Sequence, residues 1–153
     1  MASVEERLQR LGIRLPEPPR AVGLYRPARV EGKWCYTSGQ LPFVDGRLLY
    51  PGKVGREVSV AQAKEAARQA ALGALSAAAQ AAGGLDRLAA VVKVVGYVQS
   101  VEDFFEQPEV LNGASQLLGE LFGEAGVHAR SAVGVAALPL NAPVEVECIF
   151  RLG

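Results

Sequence analysis

The chain has 153 residues, half of them hydrophobic, which is enough for one well-packed domain and too few for two ordinary ones. Sixteen basic residues balance sixteen acidic ones and no run of five like charges occurs, which argues against a nucleic-acid or anionic-membrane surface. The first 20 residues carry no signal-type apolar core, and the stretch from Leu85 to Val98 is broken by Asp86, Arg87 and Lys93, so the chain reads as cytoplasmic and not membrane-spanning.

Residues 3 to 12 have the pattern of a short amphipathic helix ended by Gly12, and the three prolines of LPEPPR then require an extended connector. Residues 1–20 are therefore expected to form an N-terminal helix and Pro-rich arm ahead of a single domain over 21–153. Short β-type runs follow at Val22 to Tyr25, Ala28 to Val30 and Lys33 to Thr37, with Glu31-Gly32 as a two-residue turn between the last two. Pro42 to Gly55 reads as a loop with one short edge strand at Arg47 to Tyr50. Ser59 and Gln62 form a capping box for an Ala-rich helix that runs to the Gly83-Gly84 stop. Val91 to Val98 is a buried-strand type of run. Pro108 suits the first turn of a second helix, whose Leu111, Leu118, Leu121 and Phe122 recur at helical spacing until Gly123.

With two further strands behind it, the order β-β-β-α-β-α-β-β favours an α+β sandwich in which two helices cover one face of a mixed sheet. Cys35 and Cys148 each lie inside an apolar strand-like stretch and are expected as buried free thiols.

The two last strands carry the candidate chemistry. At period two, Val144, Val146, Cys148 and Phe150 form one apolar row and leave Glu145, Glu147, Ile149 and Arg151 on the other. If Val133 and Val135 share the core with that apolar row, Arg130, Ala132, Gly134 and Ala136 share the opposite face with Glu145. Ala, Gly and Ile among charges make that face an incentive to oligomerise, since wet apolar area forfeits roughly 25 cal/mol per Å². From the residues alone, a cross-strand ion pair between Arg130 and Glu145 and a ligand site built on Arg130 are equally open.

Other chemistries fit poorly. One histidine and two scattered cysteines do not make a usual zinc site, and no phosphate-loop or dinucleotide motif follows a strand. His128 reads as a loop histidine with a structural hydrogen bond, Lys93 as a snorkelling strand residue, and Trp34 and Tyr97 as core or interface aromatics.

The segment YTSGQLP, the strand VVKVVGYV, Asn112 within FFEQPEVLNGASQLLGELFG, and the terminal HARSAVGVAALPLNAPVEVE together resemble the Rid superfamily, also called YjgF or L-PSP proteins, from about Val22 onward. The resemblance implies a chorismate-mutase-like fold of the bacillus type, assembled as a homotrimer with clefts between subunits. It implies a hydrolytic deaminase that converts 2-imino acids or their enamine tautomers to 2-keto acids and ammonia, without metal or cofactor. Carried over from the deaminase branch, Arg130 would bind the substrate carboxylate and Glu145 would serve the attacking water. Tyr25, Ser38 and Gly39 would line the pocket, with Ala132 standing where that branch has cysteine. GLYRPA at the early tyrosine, the N-terminal arm and the long loop before Ser59 resemble a separate branch of the family. The expected partner is a small carboxylate, with neither nucleic acid nor membrane. The alternatives are a non-catalytic trimer that binds small carboxylate metabolites and, from the family's older naming, an endoribonuclease or translation inhibitor.

Overall fold

The computed structural model describes residues 2–20 and 23–153. It opens with α1 (Val4–Arg10), where the Ser3 hydroxyl accepts from the Glu6 N–H at 3.1 Å. Gly12, at φ +66°, stops that helix in a conformation that glycine adopts at no steric cost. The Pro-rich connector then crosses the long helix, and the Ser76 hydroxyl donates to the Pro16 carbonyl at 2.6 Å.

β1 (Ala28–Glu31) and β2 (Trp34–Thr37) form the first hairpin. Glu31 pairs with Trp34, so the two-residue turn is Gly32-Lys33, one residue later than the sequence suggested. Val22 lies outside the described residues, and Gly23 to Tyr25 form a turn and bend instead of a strand. The expected edge strand at Arg47 to Tyr50 is half of a small separate hairpin, β3 (Phe43–Val44) with β4 (Arg47–Leu48).

α2 (Val60–Ala82) begins with both halves of the Ser59/Gln62 capping box and ends on Gly83 in the left-handed conformation. Its buried face is almost entirely alanine, which lets the backbone approach its neighbours closely. β5 (Leu88–Gln99) follows, then α3 (Gln107–Phe122) with Pro108 in its first turn, β6 (Ala129–Val135) and β7 (Val144–Leu152). The sheet order is β1-β2-β7-β5-β6, parallel only between β5 and β6, where α3 makes the crossover.

Both long helices lie on one face of this sheet, the arrangement that the order of elements favoured. Val94, Val98, Val144, Val146, Cys148 and Phe150 are buried beneath them. Two glycines set the spacing of these layers. A Cβ on Gly96 would overlap the Leu111 side chain, and one on Gly113 would overlap the Lys64 carbonyl of α2. Cys35 and Cys148 are buried and free, and burial raises both thiols, Cys148 to about 12.

Among the described residues, nothing covers the other face of the sheet. Trp34 (37% exposed), Tyr36 (44%) and Val133 (43%) lie on it among charged groups. Among the described residues, no helix is long and apolar enough to cross a membrane.

Candidate active site

β6 is turned opposite to the sequence expectation. Arg130 sits beside buried Val94 in the parallel register and points to the helix side, where its Nη1 donates to Asn112 Oδ1 at 2.9 Å and to Ser115 Oγ at 3.1 Å, both on α3. Ala132 packs against the same core, while Val133 faces the uncovered side with Tyr97. The valine row of β6 is therefore not the core row. β6 is an edge strand whose core-facing positions are filled by small residues and the Arg130 stem, because α3 runs close above them.

Glu145 does lie on the uncovered face, with its neighbours on β7 buried on the helix side. The register sets Glu145 level with Tyr97 and Val133, three residues along from Arg130, with β5 between β7 and β6. Three residues at about 3.3 Å and two strand spacings of about 4.8 Å separate the two Cα atoms by roughly 14 Å, with the side chains on opposite faces. A cross-strand ion pair between them does not exist within the chain.

Gly39 lies against Glu145, with Ser38 next to it in the chain and Tyr25 across a neighbouring cavity that Ser38 also lines. Gly39 leaves room for the Glu145 side chain, since a Cβ there would meet the carboxylate and force it to swing away. The bridge between Gln40 and Val146, with hydrogen bonds of 2.8 and 3.0 Å, fixes this contact. Among the described residues the Gly39 N–H has no acceptor and stays available beside the carboxylate. Ser38 is held by its hydroxyl, which donates to the Arg26 carbonyl at 2.5 Å, and by its N–H on Pro27. Ser38 and Tyr25, the latter 64% exposed, line a cavity of about 660 Å³ with Arg26, Arg29 and Tyr36.

Two groups beside Glu145 have no site role in the sequence reading, where Tyr97 is a core or interface aromatic and Glu147 a member of the outward row. Tyr97 Oη donates to Glu147 Oε1 at 2.5 Å, and Tyr97 is also the cross-strand neighbour of Glu145. The bond to Glu147, with burial and the charges of Glu147 and Glu145, pushes the Tyr97 phenol up to about 12. Burial first, then the Glu147 carboxylate, raises Glu145 above the ordinary glutamate value. Glu147 was visible in the sequence two residues from Glu145, but nothing in the pattern ties Tyr97 to it. Lys93 is half-buried on the same face, opposite Ile149.

The helix-side cluster continues past Arg130. His128 Nδ1 lies 2.6 Å from the Gly126 carbonyl and Nε2 lies 2.9 Å from Ser115 Oγ, so the loop histidine does have a structural hydrogen bond. Burial lowers its imidazole pKa; the Gly126 carbonyl raises it and the Arg130 charge lowers it further. Among the described residues, no group of His, Cys, Asp and Glu is arranged to hold a metal ion.

Residues 5–151 match the family model described as "YjgF/chorismate mutase-like, putative endoribonuclease". The chain belongs to this YjgF, or Rid, family. Protein TCP17 of Trypanosoma cruzi is 43% identical over 150 residues, covering 97% of this chain and 94% of that protein. A 2-iminobutanoate/2-iminopropanoate deaminase of Dermatophagoides farinae is 31% identical, covering 90% and 92%. Among solved structures, a "putative endoribonuclease" from Shewanella oneidensis MR-1 superimposes with a TM-score of 0.94 at 37% identity, over 99% of this chain and 100% of that one. The α+β, chorismate-mutase-like architecture is thus a family property, and the turned β6 strand is seated within it.

Proposed function

We propose that the protein hydrolyses 2-imino acids, or their enamine tautomers, to 2-keto acids and ammonia, in sites completed between copies of the chain in a homotrimer. The observation that carries this reading is the state of Arg130. Both hydrogens of its Nη1 meet neutral acceptors, and among the described residues no carboxylate pairs with it. A fixed cation with a free planar edge and no counter-ion suits the carboxylate of a small ligand better than any structural role.

Within one chain that edge is out of reach of Glu145. An apolar sheet face that lacks a cover, and carries Glu145 with Gly39, is the natural surface for a second copy to close. The reacting centre then takes Arg130 and Ala132 from one copy and Tyr25, Ser38, Gly39 and Glu145 from another.

The chemistry needs only positioning and one base, because an imine is itself electrophilic. With the carboxylate on Arg130, Glu145 accepts a proton from water as its oxygen bonds to the carbon of the protonated imine and the C=N pair moves onto nitrogen. Glu145 returns the proton to the amine of the resulting carbinolamine. The C–N bond then breaks with its pair leaving on ammonia, while the carbinolamine hydroxyl gives its proton to Glu145 and its O–H pair becomes the C=O of the keto acid. The raised pKa of Glu145 suits these transfers, since such a carboxyl gives up and takes back a proton more evenly than an ordinary glutamate. The deaminase name of the Dermatophagoides farinae relative supports this reading.

Imines released in situ by an amino-acid oxidase or a threonine dehydratase test it. Purified protein is expected to speed their decay above the buffer rate, with small aliphatic side chains best. Decay at the buffer rate for alanine-, threonine- and leucine-derived imines alike, together with retained 2-ketobutyrate binding, would leave a non-catalytic carboxylate binder.

A further inference from the structure

Ser115 and His128 belong to no part of the reaction just described, yet they end a directed chain of hydrogen bonds on Arg130. The Gly126 carbonyl can only accept, so His128 Nδ1 carries the hydrogen of that 2.6 Å contact. The neutral ring then offers a bare Nε2, which accepts the Ser115 hydroxyl proton at 2.9 Å. With its single proton committed, Ser115 Oγ faces Arg130 Nη1 at 3.1 Å only as an acceptor. Asn112 is oriented in the same way: its Nδ2 donates to Glu109 Oε2 at 3.2 Å, which turns Oδ1 toward the guanidinium at 2.9 Å.

We infer that Ser115 and His128 are positioning residues that fix which edge of Arg130 meets the ligand. With Asn112 they engage both Nη1 hydrogens, and the side-on fork of Nε–H and Nη2–H is what remains for a carboxylate. The inference rests on the reading of Arg130 as the carboxylate anchor and deepens it. Ser115→Ala leaves the guanidinium charged but held at Nη1 by Asn112 alone, which loosens its orientation. Affinity should fall while the chemical step, run by Glu145, is kept.

His128 is the single histidine of the chain, so its ring nitrogens can be read without ambiguity by ¹⁵N NMR. The unliganded protein should show the neutral Nδ1–H form, and saturation with 2-ketobutyrate should shift the Nε2 resonance in the wild type but not in Ser115→Ala. Calorimetry with 2-ketobutyrate should find Ser115→Ala weaker by about 10- to 100-fold, the loss of one hydrogen bond to a charged donor, and His128→Ala weaker by less, since Ser115 keeps its bond to Arg130. In turnover KM should rise by a similar factor with kcat kept within about twofold. Ser115→Thr, which keeps the hydroxyl, should restore wild-type affinity.

An Nε2–H tautomer, or Ser115→Ala binding as the wild type does while Arg130→Ala has lost binding, overturns the positioning role and leaves the carboxylate reading intact. Absence of keto-acid binding to the wild type, or equal binding by Arg130→Ala, overturns the carboxylate reading and this inference with it.

Discussion

In the proposed reaction Arg130 and Glu145 hold different parts, so their substitutions should fail differently. Arg130→Ala is expected to cost roughly 2 to 5 kcal/mol of keto-acid binding, the range for truncating one partner of a buried charge pair. Glu145→Gln keeps the shape and should abolish most turnover while 2-ketobutyrate binding by calorimetry stays near wild type. The raised pKa of Glu145 fixes the sign of the pH profile. As pH falls, the base is protonated early, so kcat should drop at a pH above the ordinary glutamate value, and Glu145→Gln should remove that limb. A limb at or below the free-glutamate value would contradict the assignment. Tyr97 gives the alkaline counterpart. Its pKa is raised to about 12, so the stability from its bond to Glu147 is complete below about pH 10 and lost as pH rises through about 12. In an ultraviolet titration, Tyr97→Phe should remove the latest phenol step.

At the scale of elements, α3 carries two glycines with opposite consequences. A Cβ on Gly113 would overlap the Lys64 carbonyl, a backbone atom that cannot turn away, whereas Gly119 has nothing within 4 Å. Gly113→Ala should therefore destabilise the fold by about 2 to 3 kcal/mol as α2 and α3 are forced apart, and Gly119→Ala should stabilise it by up to about 1 kcal/mol. Thermal denaturation of the pair separates packing from helix propensity. Much of the helical layer was legible in the sequence because its signals are local: Ser59 with Gln62, Gly83, Pro108, and the Leu111 to Phe122 spacing. β7 was legible too, since Val144 to Phe150 alternate cleanly against Glu145 and Glu147. β6 was not. Arg130-Ala132-Gly134 and Ser131-Val133-Val135 are both small or mixed rows, and choosing the valines as core follows hydrophobicity where the register with β5 decides. Val94 opposite Arg130, and the nearness of α3, make the small-residue row the inner one. The Ser115–His128 link joins residues 13 apart through a turn whose direction no periodicity reveals.

For the whole molecule, the exposed sheet face and the separation of Arg130 from Glu145 mean that the proposed reaction needs a second copy of the chain. Trp34, Tyr36 and Val133 should lose exposure on assembly, and light scattering at micromolar concentration should find a trimer. The more direct measurement is complementation. Arg130→Ala and Glu145→Gln chains, each inactive alone, are mixed in equal amounts under conditions that exchange subunits. If every site takes Arg130 from one copy and Glu145 from another, about a quarter of the sites in a randomly mixed ring regain both groups. Imine hydrolysis should then return to about a quarter of the wild-type rate, far above either parent. Activity that stays at the mean of the two parents, in oligomers shown to contain both chains, would contradict a site shared between copies.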